Sequence, residues 1–81
     1  MGRYYFHVRV GDQVIVDREG SNFSDLAAAR LEALAAARHI LADAIRSGKD
    51  DTPEGFVIAD GEGRELETVP FAMVLPKRLR S

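Results

Sequence analysis

Cysteine is missing from this 81-residue chain, and that absence removes a disulfide framework, a thiolate nucleophile and any cysteine-based zinc site. A fold this small must therefore hold itself together by apolar packing, with self-association as the available supplement. No uninterrupted run approaches the ~20 apolar residues of a membrane span, and the start has neither the apolar run nor the small-residue cleavage site of a signal peptide, so a cytoplasmic protein with no membrane partner is expected. Charge of one sign is also lacking: the formal net charge is −2, which gives no global attraction to nucleic acid or anionic lipid. No proline or glycine occurs from Asp25 to Ser47, so nothing there stops a helix.

What is present fits an ordinary globular domain, with 46% hydrophobic and 30% charged residues spread along the chain. One core is all such a length can build. Arg3 to Val10 alternates, Tyr4, Phe6, Val8 and Val10 on one side and Arg3, Tyr5, His7 and Arg9 on the other, the period of a strand with one buried face. Gly11-Asp12 turns the chain and Gln13 to Asp17 returns, making a hairpin closed by Asp17-Arg18-Glu19-Gly20. Ser24 is the expected N-cap of a helix from about Asp25 to about Ser47, with Asp25 in its positive first turn. Leu26, Ala29, Ala33, Leu34, Ala37, Ile40, Leu41 and Ala44 share one side of it, and Glu32, His39, Asp43 and Arg46 lie opposite.

Gly48 suits a left-handed helix terminus, and Lys49 to Glu54 reads as a polar loop. Phe56 to Asp60 and Arg64 to Val69 form a second hairpin, after which Pro70 opens a short helical cover through Leu75. The expectation is one α+β domain over residues 1–75, order β-β-α-β-β, with an antiparallel sheet covered on one face by a single long helix, and a basic tail over residues 76–81.

The stretch Val14 to Gly20 is echoed by Val57 to Gly63, each a strand ending in Asp-x-Glu-Gly. Asp accepts hydrogen bonds from amides two residues on and Gly tolerates positive φ, so this is a reused turn. Asp17, Glu19, Asp60 and Glu62 lack the ligand spacing of a calcium loop, and His7 and His39 fall on different elements, so no metal or cofactor is expected. Ser21, Ser24 and Ser47 are explained by helix entry and exit. Gly20-Ser21-Asn22-Phe23-Ser24 lacks the second glycine and the lysine of a phosphate loop. An enzyme is not expected.

The open side of the sheet is the candidate interaction face, formed by Arg3, Tyr5, His7, Arg9 and Ile15 with Glu65 and Glu67; Tyr and Arg are enriched in binding hot spots. A protein partner or a second copy is the expected occupant. A secondary helix stripe, Leu31, Ala35, Arg38, Ala42 and Ile45, offers another route to a homodimer. Nucleic acid would need Arg3, Arg9, Lys77, Arg78 and Arg80 to converge. Arg30 falls inside the apolar arc and calls for a carboxylate, Asp17 or Glu19 being nearest in expectation.

The run Arg3-Tyr4-Tyr5-Phe6-His7, with Asp17-x-x-Gly20, Asp25-Leu26-x-Ala28-Ala29-x-x-Glu32-Ala33, Ala37-Arg38, Asp60-x-x-Gly63 and Val69-Pro70-Phe71, resembles a family of small bacterial proteins of unknown function. The resemblance runs from Arg3 to about Leu75 and implies a stand-alone domain with no catalytic residues to carry over. A more distant likeness is to the antitoxin of HicAB-type toxin–antitoxin pairs, which also leads from a hairpin into an alanine-rich helix. This chain lacks that group's proline- and cysteine-containing segment and a separate DNA-binding region, so the likeness is one of architecture.

Overall fold

The structure, a computed structural model, describes residues 2–48 and 53–79; the expected loop from Lys49 as far as Thr52, and Arg80 of the tail, lie outside them. Five strands and one long helix follow in the order β1 (Gly2–Val10), β2 (Gln13–Ile15), β3 (Ser21–Phe23), α1 (Leu26–Ser47), β4 (Gly55–Ala59) and β5 (Glu65–Pro70). Two 3-10 turns, Phe71–Val74 and Lys77–Leu79, close the chain. The fold is α+β with an antiparallel sheet, as the alternation and the helical period predict.

The sheet runs β2-β1-β4-β5, and β3 pairs with β1 off that path. β1 is the spine. Its C-terminal half pairs with β2 and its N-terminal half with β3 along one edge, while β4 lies along the other. β3 has no alternating apolar pattern of its own, and pairing with the far end of a long strand is what makes it extended. The four expected strands are thus joined by a fifth.

α1 lies over the face that carries Tyr4, Phe6 and Val8. Ala29, Ala33 and Ala37, spaced four apart, have no exposed surface, so the helix backbone comes close to the sheet along an alanine seam. Ala33, Ala37, Phe56, Ile58, Val69 and Phe71 form the buried centre. The Phe56 and Phe71 rings meet edge to face at 5.0 Å, and Phe23, brought in by β3, stacks on Phe6 at 5.7 Å. Each large side chain buried in this way contributes roughly 1.5–3 kcal/mol.

The helix ends are set by local chemistry. Asp25, not Ser24, is the N-cap: its extended backbone and its carboxylate, which accepts from the Ala28 amide at 2.9 Å, satisfy one of the unpaired first-turn donors. Gly48 ends the helix in the left-handed region at φ 69°, its amide donating to the Ala44 carbonyl. Arg30 reaches Glu67 on β5, and not Asp17 or Glu19, because the alanine seam sets the helix over β4 and turns that side of it toward β5.

Candidate interaction face

Strand register decides which side chains share the open face. Tyr5 stands beside Ala59, which stands beside Glu65; His7 beside Val57, then Thr68; Arg9 beside Gly55, then Pro70. On the other side of β1, Arg9 is paired with Val14 and Arg3 with Asn22. Residues directly opposite in a sheet point to the same face, so these rows make up the side away from α1. α1 and Phe71–Val74 pack on the opposite side, and no helix among the described residues packs across this one.

Five of the seven residues expected on this face are placed there: Arg3, Tyr5, His7, Arg9 and Glu65. Ile15 and Glu67 are not. Ile15 is opposite Val8 and so on the helix side, where α1 does not reach it and it stays 59% exposed. Glu67 is opposite Ile58, a core residue, and is tied to Arg30. The irregularity between Ile58 and Ala59 explains the second case: Leu66 is inserted at a bulge, so Glu65 and Glu67, two apart in sequence, fall on opposite faces. Val14, Val57, Ala59 and Thr68 are among the face residues that sequence reasoning missed. Phe56 to Ala59 are all apolar, so only the register with β1 assigns Val57 and Ala59 to this face.

The floor of the face is apolar and its rim polar. Val57 and Ala59 are buried despite the lack of a covering layer, flanked by the larger side chains of β1. Tyr5 and His7 lie nearly parallel, ring centres 6.5 Å apart. Arg3 donates to the Glu19 carbonyl at 2.8 Å and to Asn22 at 3.4 Å, which fixes it at one end of the row.

Both Asp-x-x-Gly turns border this face. Asp17 fills the gap in the β1 edge between β2 and β3: its carboxylate accepts from the Phe6 amide, which has no strand partner there, and from the amides of Glu19 and Gly20, all at 3.1 Å. The Asp17 amide in turn donates to Nδ1 of His7 at 3.1 Å. A neutral ring that accepts at Nδ1 carries its proton at Nε2. Burial pushes the Asp17 carboxyl up, but the Gly20, Phe6 and Glu19 amides, with His7 beside it, outweigh that and hold it below its ordinary range.

Asp60 repeats the pattern, accepting from the amides of Glu62 and Arg64 at 2.9 Å and from the Arg64 side chain at 2.9 Å. The Arg64 amide is the largest influence holding its carboxyl low, against a smaller desolvation penalty, with the Arg64 guanidinium and the Glu62 amide assisting. Between the two turns lies a shallow concavity of about 250 Å³ bordered by Tyr5, His7, Val16, Asp17 and Asp60. A second, of about 190 Å³, sits beside Arg9, Glu54 and Thr68 at the other end.

Of the cations that nucleic-acid binding would require to converge, Arg3 and Arg9 are on the open face, and Lys77 and Arg78 belong to the Lys77–Leu79 turn. Among the described residues no group of three or more His, Asp or Glu side chains is placed to hold a metal ion, and no helix is long and apolar enough to cross a membrane.

Comparison with curated proteins and with solved structures gives no match. A family match covers residues 3–72, which takes in every strand, the helix and the start of the first 3-10 turn, along with both Asp-x-x-Gly turns and the Tyr-Tyr-Phe-His strand that frame the open face. The chain belongs to that family, Domain of unknown function (DUF6894).

Proposed function

We propose that this domain is a non-catalytic interaction module whose open sheet face holds a protein partner. The observation that carries the reading is the uncovered face itself: an apolar floor of Val57 and Ala59 beneath Tyr5, His7 and Arg9, the kind of aromatic and guanidinium anchors on which interface energy concentrates. Catalysis is disfavoured by the same geometry. Asp17, the acid beside His7, has both carboxylate oxygens engaged by backbone amides, and His7 accepts a backbone amide at Nδ1, so both serve to shape the face and neither is set up as a general base.

The test is affinity capture with the wild-type chain and with a Tyr5→Ala/Arg9→Ala variant whose fold is checked by circular dichroism. A partner held by the wild type and lost in the variant supports the reading. Retention by both refutes it. Nucleic acid is the competing class, because Arg3, His7 and Arg9 share one row; binding to mixed DNA or RNA that is tight at low salt and falls steeply with added salt would replace the protein-partner reading with that one.

A further inference from the structure

The free edge of β2 is built unlike a guarded edge. Val14, Ile15 and Val16 follow one another there at 46%, 59% and 58% exposure, and neither proline nor lysine interrupts Gln13 to Val16. Sheet edges in soluble proteins are commonly blunted by such residues, because unpaired backbone groups flanked by β-branched side chains recruit another strand.

The hydrogen-bonding side follows from the ladder. The Phe6 amide points to the β2/β3 edge of β1, so Val8 and Val10 do the same, and their partners Ile15 and Gln13 turn their own amides and carbonyls inward. Val14 therefore directs its amide and carbonyl outward, and Val16, the residue just past the end of β2 at Ile15, is the one a second copy would bring opposite it. The carboxylate of Asp17 points the other way, into the Phe6, Glu19 and Gly20 amides, and leaves this edge clear.

We infer that the occupant of this edge is a second copy of the chain, paired antiparallel through a twofold axis at Ile15. In that register Val14 exchanges backbone hydrogen bonds with Val16 of the second copy, and the axis repeats the exchange. Ile15 meets Ile15 on the helix side. The charges select this arrangement. Asp12, in the turn before β2, and Arg18, in the bend after it, flank the apolar triplet, so an antiparallel self-pairing brings each Asp12 toward an Arg18 of the other copy, whereas a parallel one brings like charges together. A slip of two residues in either direction would place a valine against Asp12 or Arg18. The interface is isologous. It joins the two sheets into one and doubles the open face, independently of what that face binds.

So short an edge gives a weak dimer, best read by sedimentation or light scattering of the full chain up to about 1 mM. The wild type is expected to show a concentration-dependent shift from monomer to dimer mass. Ile15→Lys, at an already exposed position, is expected to stay folded and monomeric. Asp12→Arg and Arg18→Asp alone are each expected to weaken the dimer about tenfold, since each brings like charges together at both ends of the axis. The double exchange Asp12→Arg/Arg18→Asp is expected to restore it. A mass that stays monomeric throughout, a dimer unaffected by Ile15→Lys, or a double exchange no better than the single ones would overturn the proposal. Tyr5→Ala/Arg9→Ala leaves the dimer intact, which separates this test from that of the open face.

Discussion

At the scale of single residues, Asp17 does the most for the architecture. One carboxylate closes its own turn and also stands in for a missing strand partner by accepting the Phe6 amide. Asp17→Ala leaves these donors without an acceptor and is expected to cost about 1–3 kcal/mol in urea unfolding. The pH dependence follows from the sign of the shift. Asp17 and Asp60 both lie below the ordinary carboxylate value in the folded chain, so the stability they supply is complete above about pH 4 and is lost as pH falls toward their folded values. Asp17→Asn is expected to flatten the acid limb of a stability-against-pH curve; an unchanged limb would assign acid unfolding to other carboxylates.

Gly20 is the second residue with a defined burden. Its φ is 67°, and a Cβ there would lie 2.8 Å from the Tyr5 ring and 2.9 Å from the Tyr4 carbonyl oxygen. The left-handed backbone alone disfavours a side chain by about 1 kcal/mol, and the contacts add to it. Gly20→Ala is therefore expected to lower the unfolding midpoint and to tilt Tyr5, which a change in the tyrosine's near-ultraviolet dichroism reports. Loss of stability without that change would mean the ring is not held by the turn.

At the scale of elements, the helix–sheet contact depends on small side chains. Ala29, Ala33 and Ala37 form the seam, whereas Leu31 is 68% exposed on another side of the same helix. Ala33→Leu has to push the helix off Phe56 and Ile58 and is expected to destabilise by about 1–3 kcal/mol. Leu31→Ala is expected to stay within about 0.5 kcal/mol of wild type. Denaturant midpoints of the pair measure the difference directly, and equal effects would place the helix in a different rotation about its axis.

At the scale of the whole molecule, a single core supports everything. Ile58 is fully buried at its centre, next to Val69 and Phe71, and its truncation leaves a cavity that strands on both sides cannot close. Ile58→Ala is expected to cost about 2–5 kcal/mol, a large share of the 5–15 kcal/mol typical of a small domain. The transition should remain cooperative and simply move to lower denaturant, with the same midpoint by fluorescence and by far-ultraviolet dichroism. Separate midpoints would reveal that the β1–β3 end unfolds on its own.

Much of the chemistry confined to neighbours in the chain was readable, although the helix is capped by Asp25 and not by the Ser24 before it. The alternation of Arg3 to Val10 marked a strand and its two faces, the uninterrupted stretch after Asp25 marked the helix, and the paired Asp-x-x-Gly sequences marked turns whose carboxylates do bind the amides two residues on. Tertiary structure decided what depends on register and distance. Val14, Ile15 and Val16 are all apolar, so no alternation could say which of them shares a face with Arg9; only pairing with Val8 puts Ile15 on the helix side. The bulge at Leu66 separated Glu65 from Glu67, and the seating of the alanine seam gave Arg30 its partner on β5. Ser21 to Phe23 became a strand because β1 is long enough to hold a second partner on one edge. Side chains in a strand alternate at every residue, so a single inserted position reverses all that follow; which residue is inserted is fixed by the packing of the whole sheet.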